Sequence, residues 1–84
     1  MEVRDNPQQH RYELVDDDAV VGWLDYVEKQ GRLYLTHAEV LPHLRGQGYG
    51  ERLVEGVLAD TEAQGRNVVP VCSFVVAYCR RRAA

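Results

Sequence analysis

The residues with the clearest chemistry lie between positions 37 and 50 and again at 72. Three glycines in five residues, Gly46-Gln47-Gly48-Tyr49-Gly50, end an apolar run and open a helical pattern. Residues without a side chain let the backbone turn consecutive N–H groups to one side, and a helix start adds N–H groups that have no partner in the helix. Such a nest takes an anion, typically a phosphate or diphosphate. Ahead of the loop stand His37 and Glu39, an imidazole and a carboxylate able to carry protons. Behind it stands Cys72, directly before Ser73, and a thiol beside a helix N-terminus is favoured as the nucleophilic thiolate.

Spacing separates the phosphate loops from one another. A Walker A loop needs Lys and then Ser or Thr after its last glycine, whereas Gly50 is followed by Glu51-Arg52, so triphosphate hydrolysis lacks both its lysine and its magnesium-binding hydroxyl. A dinucleotide fingerprint needs G-x-G-x-x-G. Here the third glycine comes one place early, and counting from Gly48 puts Leu53 where the last glycine belongs. What remains is Arg45-x-x-Gly48-x-Gly50 after the strand end Val40-Leu41-Pro42.

The elements that must position these residues follow from periodicity. His10 to Val15 alternates, with Tyr12 and Leu14 on one side, and reads as a strand; Asp16-Asp17-Asp18 makes a turn and, being adjacent positions, does not converge on a metal. A second strand spans Ala19 to Val27, Gly31 suits the hairpin after it, and a third strand spans Arg32 to Val40. Its faces read as Leu33, Leu35, His37, Glu39 and as Tyr34, Thr36, Ala38, Val40, so one face passes from apolar to polar just before the loop. Pro42 ends it. Tyr49, Leu53, Val54, Val57 and Leu58 give a helix to about Gln64, with Glu51, Glu55, Asp60 and Glu62 outside and Gly65 as its stop. A strand from Asn67 to Val71 and a short helix from Phe74 to Arg82, capped by Ser73, complete the chain. Residues 1–9 are polar, contain Asn6-Pro7, and are expected to lead in loosely.

The fold class expected is α+β, or mixed α/β: an antiparallel meander, the glycine loop, a helix, a strand able to pair in parallel, and a last helix. At 84 residues one domain, 1–84, is expected. An apolar share of 45% beside 27% charged residues suits a globular chain. No apolar run approaches the roughly 20 residues that cross a bilayer, and Met1-Glu2-Val3-Arg4-Asp5 lacks the features of a signal peptide, so no membrane partner and a cytoplasmic location are expected. The net charge of −3 makes nucleic acid an unfavoured partner, and Arg80-Arg81-Arg82 complements the negative end of a terminal helix. Cys72 and Cys79 are expected as free thiols, and with three scattered histidines they write no zinc pattern.

The loop in this context resembles the diphosphate-binding signature of the GCN5-related N-acetyltransferase family. Thr36-His37-Ala38-Glu39-Val40 with Leu41-Pro42, then Arg45-Gly46-Gln47-Gly48, then Val69-Pro70-Val71-Cys72-Ser73-Phe74 with Tyr78, extend the likeness to the small YjdJ-type branch, over about residues 10–82. The chain departs from that branch at Ala38, Leu41 and Ser73. The resemblance implies acetyl-CoA as cofactor, an amine acceptor of unknown identity, and a reduced fold that keeps the cofactor-binding centre. By it, the backbone N–H groups of Gln47, Gly48 and Gly50, with Gly46 and Tyr49, hold the diphosphate, Arg45 adds a charge-assisted bond, and Val40 and Leu41 pair with the pantetheine arm. Acetyl transfer needs a neutral amine, a stabilised oxyanion and a proton for the leaving thiolate. His37 and Glu39 are the candidate bases, Cys72 lies near the acetyl group as nucleophile or pocket wall, and Tyr78 is the candidate proton donor. The alternative is a non-catalytic acyl-CoA-binding or protein-interaction module.

Overall fold

Five strands and two helices make up the computed structural model of this chain, which describes residues 1–83. In chain order they are β1 (Glu2–Asn6), β2 (Arg11–Asp16), β3 (Ala19–Lys29), β4 (Arg32–Val40), α1 (Tyr49–Ala63), β5 (Asn67–Pro70) and α2 (Ser73–Ala83). The strands lie in one sheet in the order β1-β2-β3-β4-β5, antiparallel except for the parallel pair β4 and β5. The α+β class expected from the sequence is the one observed.

The N-terminal segment corrects an expectation. Residues 2–6 are not a loose lead but an edge strand, in register from Glu2 opposite Val15 to Asn6 opposite Arg11. Its polar composition conceals the reason, because its side chains have partners. Asp5 Oδ1 accepts from Tyr26 Oη at 2.6 Å, Asn6 Nδ2 donates to Glu13 Oε2 at 3.2 Å, and Val3 packs against the core where Gly56 of α1 leaves room for it. A 3-10 turn, Pro7–Gln9, then returns the chain to β2.

The β2–β3 and β3–β4 hairpins use two-residue turns with positive φ. Asp17 and Asp18 stand at φ 49 and 65 between β2 and β3, and Gln30 and Gly31 at φ 53 and 77 between β3 and β4. That twist matches the twist of the strands they join, which is why the aspartate run is a turn.

The core is built from Tyr12, Leu14, Leu24, Tyr26, Leu33 and Leu35 of the sheet, Leu53, Val54, Val57 and Leu58 of α1, and Val75 of α2, all buried. Apolar residues at helical spacing bring α1 onto the sheet. The helix ends in a Schellman motif: Gly65, at φ 67, donates to Glu62 O at 3.1 Å and Arg66 N–H to Thr61 O at 2.9 Å. Asp60, read from the sequence as outward, instead accepts from Tyr12 Oη at 2.6 Å. The second helix starts where α1 starts, with the Phe74 ring against Gly50, and ends where α1 ends, with Arg82 Nη2 3.0 Å from Glu62 Oε1.

One irregularity in β4 sets the faces on which its last residues stand. Asp25 faces His37 but Tyr26 faces Leu35, so Thr36 is an extra residue in the ladder, and its hydroxyl donates to Asp25 O at 3.3 Å. Beyond it Leu24 faces Ala38 and Trp23 faces Glu39. Directly opposed residues share a face, so Ala38 lies with Leu24 on the core side, whereas His37 and Glu39 lie on the other. The continuous face Leu33, Leu35, His37, Glu39 expected from alternation is therefore broken: the bulge resets the alternation, and a period-2 count cannot see an unpaired residue.

Candidate functional site

The bulge also marks where β4 loses a neighbour. Its pairing with β5 runs from Arg32 opposite Asn67 to Leu35 opposite Pro70 and stops, because proline closes β5 and cannot extend a ladder. The N–H groups of Val71 and Cys72 both turn back to Leu35 O, at 3.0 Å each. On the side facing β5, residues 36–40 have no strand partner among the described residues.

The chain leaves β4 through Leu41, whose N–H remains tied to Val21 O of β3 at 2.9 Å, and a 3-10 turn over Pro42–Leu44. The glycines of the loop have separate tasks. Gly46 and Gly48 stand at φ 78 and 85, a backbone region that costs other residues about 1–2 kcal/mol. Gly50 has no such φ; it provides space, since a Cβ there would lie 2.8 Å from Phe74 Cζ. Gly48 is the N-cap of α1 and offers no side-chain cap, and Arg52 N–H is the first to bond back, to Gly48 O at 3.2 Å. The N–H groups of Gly48, Tyr49, Gly50 and Glu51 thus have no acceptor in the helix, at its positive end.

Between the unpaired part of β4, this loop and the start of α2 lies a cleft of about 450 Å³. Glu39, Val40, Arg45, Gly46, Gly48, Tyr49 and Gly50 line it, as the sequence suggests. Ala38, Leu44, Glu51 and Phe74 complete the wall, and the sequence alone does not single them out. Only the bulge brings Ala38 to this side, and only the tertiary seat of Phe74 on Gly50 brings α2 to the cleft.

Charges at the rim are linked. Arg45 donates through Nε to Val40 O at 3.1 Å and through Nη2 to Glu39 Oε2 at 3.0 Å, and His37 Nε2 lies 3.1 Å from Glu39 Oε1. The three side chains are 60%, 33% and 54% exposed for Arg45, Glu39 and His37, so the pairs are solvent-screened. Across β3, Trp23 stands opposite Glu39 and Asp25 opposite His37, with the Arg11 guanidinium 5.2 Å from the Trp23 ring centre.

Other sequence candidates lie apart from this wall. Gln47 is exposed and its Nε2 donates to His43 O at 3.4 Å. Leu41 packs against the core. Cys72 is half-buried against the core, and its carbonyl accepts from Val76 N–H at 2.9 Å. Cys72 therefore holds the N-cap position of α2, and Ser73, expected as the cap, is the first helical residue. Tyr78 lies one turn beyond Phe74 on the same helix face, packs against the core and sits under the Arg81 guanidinium at 5.9 Å. Neither Cys72 nor Tyr78 lines the cleft.

The perturbed titrating groups are elsewhere. Burial, then the bond donated to Asp60, raises the Tyr12 phenol well above its ordinary value, and burial, then the bond to Asp5, does the same for Tyr26. Both lie in the core between sheet and α1, where their rings meet at 5.7 Å.

The donor set suits a diphosphate. It comprises N–H groups with no acceptor among the described residues, two glycines whose φ aims them, and a guanidinium at the rim. The free strand side suits an extended chain bearing amides.

Comparison with known proteins bears on the same region. The profile of the GCN5-related N-acetyl-transferase family matches residues 11–84. Among curated proteins none matches this sequence. Among solved structures, an aminoglycoside N-acetyltransferase in complex with CoA is similar, with a TM-score of 0.56 and 17% sequence identity over 88% of this chain. The match covers 66% of that protein, and at this identity the likeness is one of fold.

Proposed function

This chain belongs to the GCN5-related N-acetyltransferase family, and from that premise we propose that it binds acetyl-CoA in the cleft between β4, the glycine loop and α2 and transfers the acetyl group to an amine. One observation carries the proposal: among the described residues, the N–H groups of Gly48, Tyr49 and Gly50 have no acceptor and open beside the end of β4 that has no strand partner. The residues flanking the loop, Thr36 to Val40 and Val69 to Phe74, support a place in the small YjdJ-type branch.

Acetyl-CoA supplies an acyl group activated as a thioester. The chain supplies the rest. Backbone N–H groups at the start of α1, with Gln47, Gly46 and the Arg45 guanidinium, hold the diphosphate. The free side of β4 at Val40 orients the pantetheine amides, next to Leu41, whose N–H is held by Val21 O and whose carbonyl is held by Leu44 N–H, and Phe74 and Leu44 exclude water from the thioester end. Glu39, joined to His37, takes the proton that the acceptor ammonium must lose, and exposed His37 passes it to solvent. The leaving sulfur needs one proton in return. Tyr78, one turn beyond Phe74, is the phenol assigned to give it. The resemblance assigns Cys72, at the N-cap of α2 and packed against the core, a place near the acetyl group, as nucleophile or pocket wall.

A second reading, a binding module for acyl-CoA without turnover, is favoured by one observation: Cys72 and Tyr78 pack against the core and do not line the cleft. Calorimetry with acetyl-CoA tests what both share, and absence of heat at millimolar cofactor would end both. Incubation with an amine panel, read by mass for acetylated amine and for an acetyl group on Cys72, separates them. Product above the uncatalysed rate supports the enzyme; bound, unreacted cofactor supports the module.

A further inference from the structure

The rim charges carry an inference that rests on acetyl-CoA occupying the loop. Arg45 lines the same cleft as Gly46, Gly48 and Gly50, yet its guanidinium is already engaged, through Nη2 on Glu39 Oε2 at 3.0 Å and Nε on Val40 O at 3.1 Å. We propose that Arg45 serves Glu39 and the cofactor diphosphate in alternation, so that filling the loop releases the Glu39 carboxylate for the acceptor.

The energetics favour such an exchange. An ion pair this exposed is weak, because water and salt screen it. A diphosphate carries more charge than one carboxylate and presents paired oxygens to the planar guanidinium fork, so it is the stronger partner. Being planar, the guanidinium turns as one body, so moving to the diphosphate gives up the Nη2 bond to Glu39 together with the Nε bond to Val40 O.

Release changes what surrounds Glu39. Its Oε1 lies 3.1 Å from His37 Nε2, whereas its Oε2 has Arg45. Across β3 it faces Trp23, which brings no charge, and Asp25 faces His37. With Arg45 on the diphosphate, Oε2 is open toward the cleft, and His37 is the neighbouring group left to hold the carboxylate in place. Glu39 is thus paired with Arg45 while the cofactor site is empty and open to the acceptor once it is filled. Arg45 acts on the proton transfer through Glu39, as a positioning residue.

Linkage makes the exchange measurable, since a group that competes for Arg45 lowers the affinity for whatever else Arg45 binds. Coenzyme A itself is the probe, titrated by calorimetry at fixed low salt into the unaltered chain, Glu39→Gln, Arg45→Ala and the double variant, with thermal melts confirming that each is folded. Glu39→Gln should tighten binding about two- to five-fold, the worth of an exposed ion pair. Arg45→Ala should weaken it, and adding Glu39→Gln to Arg45→Ala should change nothing further. Tightening that persists without Arg45 would mean that the carboxylate acts on the anion through space, and would overturn the proposal. So would an unchanged affinity in Glu39→Gln while the unaltered chain binds, a result that leaves the cofactor assignment standing. If the unaltered chain binds no coenzyme A, this proposal and the cofactor assignment fall together.

Discussion

Gly48 and Gly50 stand two residues apart and are required for different reasons, conformation at one and space at the other. Gly48→Ala places a side chain at φ 85 with nothing within 4 Å of it, so the change is one of backbone energy alone. It should lower stability by about 1–2 kcal/mol and weaken acetyl-CoA binding several-fold as the N–H fan opens, measurable by urea unfolding and calorimetry. Gly50→Ala meets the Phe74 ring, and there Phe74→Leu should restore what Gly50→Ala removes; a double variant no better than the single one would refute the contact. Glu39→Gln should cut acetyl transfer by about 10²- to 10⁴-fold, the ordinary share of a general base, without weakening cofactor binding. If transfer in Glu39→Gln keeps its rate, Glu39 is not the base.

Among the elements, β1 and the second half of β4 separate what periodicity can read from what it cannot. Close apposition of β1 to α1 depends on Gly56, where a Cβ would collide with the Val3 side chain. Alanine is the better helix former by roughly 1 kcal/mol, and overpacking costs about 1–3 kcal/mol, so Gly56→Ala should be destabilising on balance. Adding Val3→Ala should recover the loss; a Gly56→Ala chain more stable than the original would show β1 to be detachable. Local signals place β2, β3, β4, α1 and β5 to within two residues at either end, because alternation, turn glycines and an apolar stripe are properties of neighbouring letters. The loop is legible for the same reason: its glycines act through their own backbones. β1 is hidden because its partners, Tyr26, Glu13 and Gly56, are distant in sequence and its own residues are polar. The faces of His37 and Glu39 are hidden because the bulge at Thr36 exists only as a relation between two strands. Phe74 cannot be read as a wall of the cleft because a helix in isolation does not say which neighbour it meets.

Across the whole molecule, the sheet is tied to its edge and to α1 by two buried phenols. Tyr26 donates to Asp5 of β1 and Tyr12 to Asp60 of α1. Both phenols hold their protons above the ordinary tyrosine value of about 10, for reasons of burial first and the bond to the carboxylate second. The folded chain therefore keeps protons that the unfolded chain releases once pH exceeds about 10. Their contribution to stability is complete below that pH and is lost as pH rises above it. Urea midpoints should fall above pH 10, and the fall should be shallower in a Tyr12→Phe, Tyr26→Phe chain; equal slopes would exclude these phenols as the cause. The opposite side of the sheet has another consequence, an optical one. The chain contains one tryptophan, Trp23, and it stands outside the buried core, across from Glu39 and beneath the Arg11 guanidinium. Its emission is a native lamp one strand away from Glu39 of the cleft wall: a change at Glu39 can be followed in the fluorimeter with no label attached.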